Sequence, residues 1–216
     1  YLSKSSFYNP WETIDEGTLA QPGLYTVEMQ LYNNGTVTNL VAPVSFMVKA
    51  LENTVLPAED RAEKVAFQKQ VAQLEADYGN TQSMMSEINQ KLKYMRAAIV
   101  RSEQPFETYA SAVLKIENKL KAISIGLYGD PIKSKLDLDQ LQTPANRIGT
   151  ISYEQKYTTS TPTKTHQDSY AIAKTEIDAI KKQVETIYNV DVKKLEDKLV
   201  KSGMPYTPGR GYEFKN

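Results

Sequence analysis

Apolar residues recur along this chain in two rhythms, and the change from one to the other divides it near residue 55. In the run 24–32, Tyr25, Val27, Met29 and Leu31 alternate with Thr26, Glu28, Gln30 and Tyr32. A period of two places the first set on one face of a strand, the face expected to be buried. Asn33-Asn34-Gly35 follows, residues that tolerate the positive φ of a tight hairpin. A return strand is expected over 37–49, with Val44, Phe46 and Val48 alternating after Pro43. The proline withholds a ladder donor, which marks an edge or a bulge. Gln21-Pro22-Gly23 reads as the turn before the first strand. Two strands alone are marginal in water. Short strands around Phe7, Trp11 and Ile14 would build the element towards a small sandwich.

After Leu56-Pro57-Ala58-Glu59-Asp60, a proline and acids suited to a first helical turn, the spacing becomes helical. Phe67, Val71, Leu74, Tyr78, Thr81, Met85, Ile88, Leu92, Met95 and Ile99 fall at alternating intervals of four and three. The stripe keeps phase through Gly79-Asn80, so it predicts one helix of about 40 residues rather than two. Pro105 separates a second stripe: Phe106, Tyr109, Val113, Ile116, Leu120, Ile123 and Leu127. A connection this short makes the two helices antiparallel neighbours. The second helix should end near Gly126 or Gly129-Asp130-Pro131, with a polar linker over 131–142. A shorter helix is expected over 143–157, with Ile148 and Ile151 inward. Thr161 is then the expected cap, and Pro162 the first turn, of a last helix carrying Tyr170, Ala173, Ile177, Ile180, Val184, Ile187, Leu195 and Leu199. Its step across Asn189-Val190-Asp191 calls for a kink or a new start, and Gly203 and Pro205 end it. The resulting fold class is α+β, mainly α. An antiparallel bundle of three to four long helices (56–205) follows a small antiparallel, sandwich-like and incomplete β element (1–55), and an extended tail (206–216) closes the chain.

Composition removes several kinds of chemistry. Twenty-six basic residues balance 26 acidic ones, which leaves no global field to hold nucleic acid. No apolar run reaches the roughly 18 residues of a membrane span. Cysteine is absent, and His166 is the single histidine, so thiolate chemistry and multi-histidine metal centres are excluded within these 216 residues. His166, in the first turns of the last helix, reads as a satisfied boundary residue rather than a catalyst or ligand. Glu59-Asp60 and Asp137/Asp139 pair carboxylates along the chain, but capping and a solvated linker account for both. Glycoside hydrolysis would need two such groups facing each other across a cleft. Phosphate-binding glycine loops and a G-x-S-x-G elbow are absent. Lys64, Lys69, Lys91, Lys93 and Arg96 are interspersed with acids, as on a solvated helix face. Asn34-Gly35-Thr36 fits the N-glycosylation pattern, although the flanking strands already demand a turn there. The 14 tyrosines include core or interface anchors and, by their number, candidates for an exposed binding face. No catalytic, cofactor-binding or metal-binding residue is assigned, and no cofactor is implied. The heptad stripe serves an intramolecular bundle more simply than it serves oligomerisation.

Four segments carry a resemblance. Gln21-Pro22-Gly23-Leu24-Tyr25-Thr26-Val27-Glu28-Met29 is similar to a P-G-x-Y-x-V strand, and Pro144-Ala145-Asn146-Arg147-Ile148 to a P-x-x-R-I segment. Ser160-Thr161-Pro162-Thr163 matches a threonine/proline joint, and Gly203-Met204-Pro205-Tyr206-Thr207-Pro208-Gly209-Arg210 a terminal motif. In this order they resemble the C-terminal region of exported BNR-repeat proteins of the glycosyl hydrolase-like and sortilin-like kind, common in Bacteroidota. That family carries an N-terminal β-propeller marked by Asp-boxes, S-x-D-x-G-x-T-W, and an R-x-x-W-D strand before the P-G-x-Y element. Neither motif occurs here; Trp11-Glu12 is the nearest echo of the second. The resemblance therefore implies a non-catalytic structural or interaction module, the C-terminal accessory part of a larger exported protein. Its implied partner is a β-propeller domain, within the same chain or in another, with a protein or glycan as a further partner and no nucleic acid or membrane span. It implies a periplasmic, outer-membrane-associated or extracellular setting. Two other readings stand beside it: part of a polysaccharide-directed glycoside hydrolase whose active site lies outside these residues, and a carbohydrate- or protein-binding module.

Overall fold

The computed structural model describes residues 20–50, 61–103, 106–205 and 207–208. Expectations for Phe7, Trp11 and Ile14, for Glu59-Asp60 and the boundary near 55, for Pro105 and for most of the tail lie outside these residues. The chain is mainly helical, with a small antiparallel β element at its N-terminal end. Contacts divide it into two units: Tyr1–Gln68 with Glu154–Pro162, and Lys69–Tyr153 with Thr163–Asn216.

In the first unit, β1 (Gly23–Val27) pairs with β4 (Val44–Val48), and β2 (Gln30–Asn33) pairs with β3 (Thr36–Asn39), both antiparallel. The turn between β2 and β3 places Asn34 at φ 47° and Gly35 at φ 84°. Two successive positive φ angles are the signature of the two-residue hairpin turn expected from the sequence. Between the two paired stretches lie Glu28 and Met29 on one side and residues 40–43 on the other. The Leu40 amide donates to the Met29 carbonyl, 2.9 Å, and the surplus is taken up as a bulge that contains Pro43.

The expected burial of one ribbon face does not occur. Tyr25, Val27, Met29 and Leu31 are 36–58% exposed, and Val37, Val44 and Phe46 are comparably open. A two-stranded ribbon has two faces and no second layer of its own, so alternation by itself covers neither.

The helices begin with α1 (Arg61–Val100), the single 40-residue helix the stripe predicts. Of its ten stripe positions, nine are buried and Tyr78 is partly so. In the second unit, α2 (Glu107–Tyr128) buries Tyr109, Val113, Ile116, Leu120, Ile123 and Leu127 against the same core. Phe106, expected in this stripe, is exposed because it sits at the cap position before the helix rather than within it. Gly129 ends the helix at φ 91°, its amide reaching back to the Ile125 carbonyl, 2.8 Å.

The expected polar linker contains a short helix, α3 (Pro131–Lys135), started by Asp130, whose carboxylate accepts the Ile132 amide at 2.8 Å. α4 (Pro144–Tyr157) buries Ile148 and Ile151 as expected. α5 (Lys164–Thr186) is capped by Thr163, not Thr161, because Thr163 and His166 complete a reciprocal pair. Thr163 Oγ1 accepts the His166 amide at 3.3 Å, and His166 Nδ1 accepts the Thr163 amide at 3.2 Å.

The step across Asn189-Val190-Asp191 is neither a kink nor a new start. It is a π-helical turn, Ile187–Val192, that joins α5 to α6 (Lys193–Lys201). Its wider turn absorbs the five-residue interval from Ile187 to Val192, both buried, and returns Leu195 and Leu199 to the core. At the end of α6 the Gly203 amide donates to Val200 and the Met204 amide to Leu199, at 3.0 and 3.1 Å. With Gly203 at φ 70° and Met204 packed into the same core as Leu199, this is a Schellman ending.

Side-chain pairs give the helix directions within the second unit. Gln82 meets Tyr128 and Arg96 meets Glu117, so α1 and α2 are antiparallel. Asp77 meets Lys181, Glu87 meets Tyr188 and Lys91 meets Glu196, so the last helix runs parallel to α1. The last helix is therefore antiparallel to α2, and α3 and α4 with their loops join the end of α2 to its start.

Candidate interaction surface and polar sites

The ribbon carries the most distinctive surface. Glu28 is the only charged residue between Gly23 and Val48. Each described strand pairs on one side only, so both outer edges of the ribbon present unpaired backbone groups among the described residues. Native edges are normally blunted by charges, prolines or a covering element; here Pro43 interrupts one edge and aliphatic or aromatic side chains fill most of the rest. The ribbon is held internally by Tyr25 stacked on Phe46, ring centres 6.1 Å apart, and by the Thr26–Ser45 hydroxyl pair at 3.1 Å. Tyr25 also donates to the Gln21 carbonyl, 2.9 Å. These contacts set the ribbon's register but leave its apolar faces open.

Two of the lysines expected on a solvated face are not there. In the first unit, Lys64 is buried, and its ammonium donates to the Thr158 carbonyl just past the end of α4. One turn on, the buried Gln68 amide donates to the Gln155 carbonyl at 2.8 Å. The pair satisfies carbonyls that a helix end leaves without intrahelical partners. Burial holds the Lys64 ammonium below the ordinary lysine value. Lys69, Lys93 and Arg96 are exposed, as expected.

In the second unit, Lys91 lies 3.3 Å from Glu196 and 4.0 Å from Glu87, with its ammonium 4.7 Å from the Tyr188 ring centre. Tyr188 in turn donates to Glu87, 2.8 Å. Burial alone would lower the Lys91 pKa, but Glu196 and then Tyr188 raise it above its usual value. A lysine held charged in this way is a structural cation, not a general base. The network brackets the π-helical turn together with Lys119–Asp191, 2.6 Å.

A third cluster joins α1 to α2. Gln82 donates to both Tyr78 and Tyr128, at 3.0 and 2.7 Å, and the two rings meet edge to face with centres 6.5 Å apart. Beside it lies a groove of about 500 Å³ floored by Met85 and Leu120, with Tyr128 and Pro131 at one end. Burial, and then the adjacent Tyr128, push the Tyr78 hydroxyl up to about 12. The unfolded chain releases this proton near pH 10, so the folded state binds more protons above that value and stability falls as pH rises towards 12. Tyr78→Phe is expected to remove about 2 kcal/mol of the stability loss seen between pH 10 and pH 12 in urea titrations. Equal pH slopes for the two proteins would show that Tyr78 is not shielded. Lys64 acts in the opposite sense: its lowered value makes stability rise with pH up to the ordinary lysine range.

The remaining candidates resolve locally. His166 is a helix cap. Asp137 and Asp139 are exposed, and no ion pair joins either to a described residue. Among the described residues no three His, Cys, Asp or Glu side chains gather as a metal-binding group, and no helix is long and apolar enough to cross a membrane. Among the described residues the tyrosines separate into a buried Tyr109, partly buried Tyr78, Tyr94, Tyr170 and Tyr188, and exposed Tyr25, Tyr32, Tyr128 and Tyr153. No protein-family model, curated protein or solved structure matches the chain.

Proposed function

We propose that this chain is a non-catalytic interaction module whose β-ribbon docks onto a β-rich domain. The observation that carries the reading is the ribbon itself: it exposes Tyr25, Val27, Val44 and Phe46 on one face, carries Glu28 as its single charge between Gly23 and Val48, and has no further strand on its edges among the described residues. Burying such side chains against a partner releases roughly 25 cal/mol per Å² of apolar surface, and the free edges offer main-chain hydrogen bonds in addition. The helices hold a core of their own. The resemblance to exported BNR-repeat proteins supplies the partner's class, a β-propeller or the sandwich strands next to it, and the exported setting. On this reading any glycan-directed catalysis belongs to the partner.

Hydrogen exchange tests the reading. The product of the complete encoding gene is compared with residues 1–216 alone, and the amides of 23–48 are followed. Protection should rise roughly ten-fold or more in the longer protein, because docking removes the ribbon's local opening. Val44→Lys combined with Phe46→Lys should abolish that gain while leaving the helical amides as slow as before. Equal exchange in the two proteins would refute ribbon docking.

A further inference from the structure

A second surface, in the helical unit, is shaped for a different partner. Residues 130–142 are held as a fixed loop by their own polar groups. Gln140 accepts the Asp130 amide at 2.7 Å and donates to Ser134 Oγ at 3.0 Å. The Leu136 and Leu138 amides fold back onto the Ile132 and Lys133 carbonyls at 3.1 and 3.0 Å, with Asp137 at φ 49° closing the turn. This framework turns its aliphatic side chains outward: Ile132, Leu136 and Leu138 are 54–65% exposed, and Leu141 is 93% exposed. Ordering a loop while leaving its apolar residues in water is unfavourable unless something covers them.

The charges around these side chains indicate what covers them. Lys133 and Lys135 precede Leu136, and Asp137 and Asp139 follow it. No ion pair joins any of the four to a described residue. The order is self-complementary: a two-fold axis near Leu136 sets the lysines of one copy opposite the aspartates of another, around a centre of Leu and Ile. A lipid surface fits poorly, since Asp137 and Asp139 flank Leu138 and would be carried with it towards anionic headgroups. The groove floored by Met85 and Leu120 shares Pro131 with the loop. Loop and groove are thus neighbours, an arrangement that a two-fold contact can close as a pair.

We propose that two copies of this chain associate about a two-fold axis through residues 130–142, the leucines of each loop covering those of the other and entering its groove. The contact is small, so its affinity falls in the range of roughly ten to several hundred micromolar.

Sedimentation equilibrium from about 10 to 500 µM reads the mass directly, a range matched to that affinity. The wild-type chain should pass from monomer to dimer, and Leu138→Asp with Leu141→Asp should stay monomeric. Lys133→Asp/Lys135→Asp and Asp137→Lys/Asp139→Lys should each be monomeric alone and form a mixed dimer when combined. All these positions are exposed, and an unchanged circular dichroism spectrum controls for folding. A wild-type chain monomeric throughout overturns the proposal. So do charge-reversed variants that self-associate as well as wild type, and so does a dimer that survives the leucine changes but is lost with Val44→Lys/Phe46→Lys, which would assign it to the ribbon.

Discussion

Glu196→Ala is expected to lower the unfolding free energy by about 2–3 kcal/mol, although it removes one surface-seeking residue near the end of the last helix. The reason is Lys91. Its side chain is only 11% exposed, and that of Glu196 only 9%, so the ammonium loses the carboxylate that compensates its desolvation. Glu87 at 4.0 Å and the Tyr188 ring remain, which keeps the loss at the low end for buried pairs. Lys91→Met combined with Glu196→Leu should recover most of the loss, because apolar side chains of similar volume need no charge partner there. Urea titrations of the wild type, Lys91→Met, Glu196→Leu and the double variant form a double-mutant cycle, and the expected coupling is about 2 kcal/mol. Additive single effects would mean that water, not Glu196, solvates Lys91. Because the proximity of Glu196 keeps Lys91 protonated, the pair's contribution is present below the ordinary lysine range and fades as pH rises through the raised Lys91 value.

This pair also shows how far the residue pattern could be read. Lys64 and Gln68 continue the α1 stripe towards its start, three residues before Phe67 and Val71, and Lys91 stands three residues after Ile88. Their spacing marks them as inward or boundary positions, but residue type argues for solvent, and type was the misleading signal. What reverses it is long-range: the carbonyls at the end of α4 and Glu196 from the last helix, neither deducible from local sequence. The His166 cap was hidden for a related reason. A capping box is recognised by Glu or Gln at its fourth position, and here a histidine nitrogen plays that part.

The ribbon is legible in one respect and not in another. Its strands, turn and bulge near Pro43 follow from alternation, from Asn34-Gly35 and from the proline, all of which act locally. Whether the apolar face is covered depends on a layer that alternation does not specify, and Tyr25, Val27, Met29 and Leu31 stand open. The same gap separates fold from function. The α1 stripe states its own burial because its partners are the other helices of this chain. The ribbon and the 130–142 loop leave apolar side chains exposed among the described residues.

Two single-residue deletions should have opposite outcomes. Removing Gly79 shifts everything after it by about 100° around α1, so Met85, Ile88, Leu92, Met95 and Ile99 leave the core together. The loss exceeds the roughly 5–15 kcal/mol that holds an ordinary domain, and no cooperative unfolding transition should remain. Removing Asn189 should cost less than about 1 kcal/mol. This exposed residue lies in the π-helical turn, and without it the interval from Ile187 to Val192 becomes four, which an α-helix accommodates directly. Tyr188 keeps its place relative to α5 and Glu87, while Asp191 moves with Val192 and stays within reach of Lys119. Circular dichroism at 222 nm followed through a urea titration distinguishes the cases. A cooperative transition after loss of Gly79 would mean that the stripe is not what fixes α1. Unfolding after loss of Asn189 would mean that the wide turn is required, and that the Lys91, Glu196 and Tyr188 network depends on its exact shape.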